Sequence, residues 1–200
     1  MDLSKKVTNK ECVELMSKGL HNWTSWRKCY SIELVRTLLD SFMQTQILRS
    51  EDIYYSFMFA MNAKTFKTSD VVMHHYMTDF GVSARQLISP NWFERLIFSL
   101  TNIYEGLKEY CANNKSEFVG AVENLHEYMG VMCTNMCLEA DMSYCDRVTS
   151  ARMIDEAFGS DCVNRLNEKY KRLEKLGRIR GIEKYAKLVK MLKSIKRCLH

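Results

Sequence analysis

Between Cys29 and Leu48, apolar side chains recur at Ile32, Leu34, Val35, Leu38, Leu39, Phe42 and Met43. That three-and-four spacing sets one stripe of a helix against a core, and it predicts a helix over 29–48. Start and stop signals divide the rest of the chain. Thr8-Asn9-Lys10-Glu11 has the capping-box spacing and Gly19 suits a C-terminal cap, which predicts a first helix near 9–18. Ser50-Glu51-Asp52 opens a strongly apolar stretch through Met61, with the acidic pair where a helix dipole favours negative charge. Ser69-Asp70 begins a short helix that Gly81 ends, and Ser83 caps a single turn after it. Ser89-Pro90 is the clearest start signal, because proline at the first helical position gives up only an N–H that has no helical partner anyway. A long helix from Pro90 to about Ala112 is predicted from it.

Ser116-Glu117 opens a helix to about Glu139, and Gly159 closes another that begins near Ser143. Ser160-Asp161 then starts a basic region, which Gly177 and Gly181 break before a last helix to Cys198. The expectation is an all-α, compact multi-helix bundle of eight or nine helices with short connections and a basic amphipathic C-terminal helix. It divides into a helical body, 1–160, and a basic helical extension, 161–200, packed on or continuing the same domain. Composition strengthens the helical reading: one proline and eight glycines in 200 residues are too few for many strands and tight hairpins. The longest apolar runs, such as Ile53–Met61, are far shorter than the roughly 20 residues a membrane span needs. The N-terminus lacks the apolar core of a secretory signal, so a cytoplasmic location is expected, with the nucleus as the second compartment. Eight cysteines are then expected to be reduced.

Charge changes the picture most. Residues 164–200 hold 13 Lys or Arg against three Glu, a net +10 in a chain whose total is +5, so residues 1–163 sum to −5. Clustered cations attract polyanions, which points to a nucleic acid or another acidic partner for this end. At about 100° per residue, Ile182, Tyr185, Leu188, Val189, Leu192, Ile195 and Leu199 fall on one side of a helix from Arg178. Arg180, Lys184, Lys187, Lys190, Lys193 and Arg197 fall on the other. Such a helix can present its cations to phosphates in a salt-sensitive way. It also suits an anionic membrane surface or a calmodulin-like partner, and its plainest reading is a solvated face. Lysine outnumbers arginine after Gly181, which favours point-charge attraction over bidentate base reading. The expected RNA contacts are Lys184, Lys187, Lys190, Lys193 and Arg197, assisted by Arg172, Arg178 and Arg180. Arg165, Lys169, Arg172 and Lys175 precede the C-terminal helix, with Lys171 beside them, and Gly177-Arg178-Ile179-Arg180-Gly181 reads as a basic bend that lets two basic segments embrace duplex RNA.

Cys133 and Cys137 lie four apart on a predicted helix, with His126 seven before Cys133 and Cys145 beyond a turn. Four such ligands suit zinc, but no Cys-x-x-Cys knuckle occurs, so reduced core cysteines are the expectation and no cofactor or metal is assigned. Adjacent His74 and His75 point about 100° apart on a helix and do not make a site. No phosphate loop, nucleophile elbow or His-Glu-x-x-His is present, and no enzymatic activity is predicted. Trp23, Trp26 and Trp92 can stack on single-stranded bases, although at helical spacing aromatic residues serve the core.

In size, helical organisation and its Lys184-Tyr185-Ala186-Lys187-Leu188-Val189-Lys190-Met191-Leu192-Lys193 tail, the chain resembles small accessory proteins of closteroviruses and criniviruses. The resemblance implies a viral suppressor of RNA silencing that sequesters double-stranded or small interfering RNA in its host. Homodimerisation would suit a protein that measures a duplex. A second resemblance supplies a rival. Ser89-Pro90-Asn91-Trp92-Phe93-Glu94-Arg95 is similar to the Asn-Trp-Gly-Arg signature of Bcl-2-type bundles, with Phe93-Glu94 in place of the glycine, and Leu34–Asp40 resembles their Leu-to-Asp segment. It implies an adaptor whose groove accepts an amphipathic helix of a host protein.

Overall fold

A computed structural model describes residues 7–21, 23, 28–43, 47–67 and 88–180, with side chains described as far as Arg172. The described residues are all-α: α1 Asn9–Ser17, α2 Ile32–Leu38, α3 Glu51–Asn62, α4 Pro90–Asn114, α5 Val119–Glu139, α6 Tyr144–Phe158 and α7 Cys162–Arg180. Short 3-10 turns at Leu39–Ser41 and Ser116–Phe118 follow α2 and precede α5. The one extended pairing among the described residues is an isolated antiparallel bridge between Val7 and Phe66. The helices expected after Ser69 and after Gly181, and the turn at Ser83, lie outside the described residues.

The chain forms two compact units, one from 1–86 with 95–129, the other from 87–94 with 130–200. In the first, α3 is the central element. Ile53, Tyr54, Phe57, Met58, Phe59 and Met61 are all buried, as expected of a helix apolar on every side. α1 and α2 pack on it. Between 95 and 129, buried Leu100, Ile103 and Leu107 of α4 and Val122, Leu125 and Met129 of α5 extend the core at three-and-four spacing.

Local chemistry explains the boundaries. Thr8 and Glu11 make the expected capping box. At the other end of α1, Gly19 N–H bonds the Met16 carbonyl at 3.0 Å and Leu20 N–H bonds that of Leu15 at 2.9 Å, with Gly19 at φ +68°. This is a Schellman stop, which needs the left-handed conformation glycine adopts freely.

Three expectations are corrected. α2 occupies 32–38 rather than 29–48. Ser31 caps it by accepting from Leu34 N–H at 3.2 Å, and Phe42 at its far end is extended. There the Phe42 ring meets Tyr54, Tyr55 and Phe59, and Met43 N–H donates to the Tyr54 hydroxyl at 2.8 Å. Docking on α3 overrides the helical register. Ser50 adopts φ +61° and makes no side-chain cap, although Glu51 and Asp52 do occupy the first turn of α3. Gly177 does not break α7, which runs through it to Arg180; one glycine in an otherwise helix-favouring segment costs only about 1 kcal/mol.

Candidate nucleic-acid interface

In the second unit α7 packs against α6, and the local sequence fixes how it starts. Gly159, at φ +61°, ends α6, and Asp161 takes φ +58° just before α7. The turn brings the new helix back over Asp155 of α6. Both Asp155 carboxylate oxygens accept from the first turn of α7, one from Cys162 N–H and the other from Val163 N–H at 3.0 Å. Two orphan donors are satisfied, and the positive end of the helix dipole is matched by a carboxylate from a different helix. The site where an external anion would sit at this terminus is therefore already filled by the chain itself.

One side of α7 is seated. Cys162 and Leu166 are fully buried and Tyr170 nearly so, and the Tyr170 ring stands edge-on to Tyr144 at 4.7 Å. The Arg147 guanidinium lies over the same ring at 6.0 Å. It donates to three carbonyls beyond and at the end of α5: Leu138 at 3.4 Å, Ala140 at 2.5 Å and Met142 at 3.4 Å. Lys169 also donates to the Leu138 carbonyl. Two cations thus neutralise the negative end of α5.

Lys169 is consequently not part of an outward basic surface, contrary to its place in the sequence pattern. Arg165, Lys171 and Arg172 do stand exposed on the side of α7 away from the core, Lys171 sharing its charge with Glu168 at 3.0 Å. Among the anticipated RNA contacts, Arg172 is exposed. Arg178 and Arg180 belong to α7 by backbone. Lys184, Lys187, Lys190, Lys193 and Arg197 lie outside the described residues. Asp155 and Arg147, which anchor this helix, were not singled out by the sequence pattern; the only cue was an acidic residue seven positions before the start of α7.

A further cluster of titratable groups lies in the first unit. On α4 and α5, the Tyr104 hydroxyl donates to Glu123 at 2.8 Å and accepts from Lys108 at 3.0 Å. Burial raises the Tyr104 phenol, and the bond to Tyr104 raises the Lys108 ammonium, so both stay protonated at neutral pH and neither is an activated base. His126 lies against the Tyr104 ring at 4.2 Å. Cys133 and Cys137 share the buried side of α5, but Cys145 is exposed, and no group of three or more His, Cys, Asp or Glu among the described residues is arranged to hold a metal ion. Trp23 is partly buried, its indole N–H donating to the Met16 carbonyl at 3.0 Å and its ring edge-on to Tyr128. With Gly19, Leu20 and His21 these two rings line an open depression of about 290 Å³. No described helix is long and apolar enough to cross a membrane. Comparison with protein-family models, curated proteins and solved structures returns no match.

Proposed function

We propose that this chain is a non-catalytic RNA-binding protein that holds the phosphate backbone with its basic C-terminal region and does not read bases. The observation that carries this reading is the two-sidedness of α7: Cys162, Leu166 and Tyr170 seat one side, while Arg165, Lys171 and Arg172 are exposed on the other. A cationic face on a seated helix loses little further freedom when a polyanion arrives. Two neighbouring cations, Arg147 and Lys169, are spent on the end of α5. In the sequence, further cations follow at Lys184, Lys187, Lys190, Lys193 and Arg197. Sequestration of double-stranded RNA, and through it suppression of RNA silencing by a virus, is the biological role we attach to this activity.

The test replaces Lys184, Lys187, Lys190, Lys193 and Arg197 with Glu in the full chain and measures affinity for duplex RNA, single-stranded RNA and duplex DNA. Affinity for RNA falls by more than about tenfold on every sequence, because the lost term is phosphate attraction. Affinity retained with intact helical content contradicts the proposal.

The rival reading, a helix-binding adaptor, is favoured by Leu39, which is 54% exposed within the Leu34–Asp40 segment that resembles a Bcl-2-type helix, and by Ile32, 53% exposed just before that segment. It predicts a host-protein partner whose binding survives the charge reversal and fails on Ile32→Asp with Leu39→Asp.

A further inference from the structure

Three of the five buried cysteines among the described residues gather where α5 meets the start of α7, and Cys133, Cys137 and Cys162 are each fully buried there. One side of α5, at 130, 134 and 137, runs along 158–162. A Cβ added at Gly130 would stand 2.8 Å from Phe158 Cβ and 3.3 Å from Ser160 Cβ, the Thr134 and Ser160 hydroxyls are 3.2 Å apart, and the Cys137 thiol, which donates to the Arg147 carbonyl at 3.5 Å, lies beside Cys162. The contact is close because only glycine fits at 130, and it puts two sulfurs from different helices side by side.

We propose that Cys137 and Cys162 are a reversible dithiol–disulfide pair, oxidised by hydrogen peroxide, that staples the first turn of α7 to α5. The roles within the pair are distinct. Contact with Cys137, assisted by Thr134, lowers the pKa of Cys162 against the opposing effects of burial and the Asp155 carboxylate, while the same contact raises that of Cys137. Burial pushes Cys133 up to about 12, which keeps it a thiol. The Cys162 thiolate attacks one peroxide oxygen: an S–O bond forms, the O–O bond breaks, and hydroxide leaves and takes up a proton as water. Sulfur is oxidised and peroxide reduced. Cys137 then attacks the sulfenic sulfur, forming S–S and breaking S–O; the Cys137 proton leaves with the departing oxygen as a second water. Two thiols and one peroxide give one disulfide and two waters. The link fixes the root of the basic helix whether or not that helix binds RNA.

The test treats the native full chain with graded hydrogen peroxide, blocks remaining thiols under denaturing conditions, and maps the digest by mass spectrometry. A peptide pair joined at Cys137 and Cys162 appears, disappears on reduction, and persists in Cys133→Ala. In Cys137→Ser the reaction halts, and a dimedone-type probe traps a sulfenic acid at Cys162. The proposal is overturned if both thiols stay alkylatable at peroxide levels that oxidise the exposed Cys29 and Cys145, or if Cys162 pairs with Cys133 instead.

Discussion

Asp155 carries more of the second unit than its place in the sequence suggests. It sits in the last turn of α6 yet satisfies two N–H groups at the start of α7, so one carboxylate ends one turn and begins the next helix. Asp155→Ala leaves both donors without that partner and costs about 1–2 kcal/mol, the usual range for a lost N-cap, read as a lower denaturant midpoint. Arg147 and Lys169 do the complementary work on α5. Residue-level reading of the sequence treated Lys169 as one more outward cation, because charge runs are legible and their partners are not. The carbonyl that Lys169 meets belongs to Leu138, 31 positions away. Cys162 was likewise one of eight cysteines without distinction until its neighbour on α5 was known.

Helix ends that are decided locally were readable, and those decided by packing were not. The Thr8-to-Glu11 box, the Ser89-Pro90 start, the Ser143 cap and the stops at Gly19 and Gly159 are all written in a few adjacent residues, and the structure has each of them. The second predicted helix failed because its apolar stripe serves two purposes: Leu38 is buried as a helical residue, whereas Phe42 and Met43 leave the helix to reach Tyr54 and its neighbours. At Gly177 the local signal was overridden in the other direction, and the helix continued. Gly19 offers a direct check on the local rule. Its φ of +68° disfavours any Cβ, and one placed there would come within 2.2 Å of the Tyr128 ring. Gly19→Ala therefore destabilises by about 2–4 kcal/mol, combining the left-handed cost with overpacking, and thermal unfolding against the wild type measures it.

Across the whole molecule, buried thiols set an alkaline limit. Burial raises Cys12 and Cys111 from 9.0 to about 11 and Cys133 to about 12. The unfolded chain ionises these groups first, so above their ordinary range it binds fewer protons than the fold, and stability falls as pH rises through that window. Under reducing conditions the denaturant midpoint should hold near neutrality and drop as pH approaches about 10, with a shallower drop in Cys133→Ala; an unchanged midpoint contradicts the burial of these thiols. Fold class was legible because helix signals and scarcity of proline and glycine act along the whole chain. The candidate interface was legible only as charge: sequence marked where cations accumulate, and structure added which of them are occupied internally and which side of α7 remains outward. The central claim is that this outward charge binds RNA through phosphates. The most direct measurement is the affinity of the full chain for a short RNA duplex across a salt series. Log affinity should fall linearly with log salt, steeply for the wild type, by about 0.7–0.9 per phosphate neutralised, and with a flatter slope when Lys184, Lys187, Lys190, Lys193 and Arg197 are replaced by Glu. No binding at low salt, or a slope unchanged by those substitutions, would contradict it.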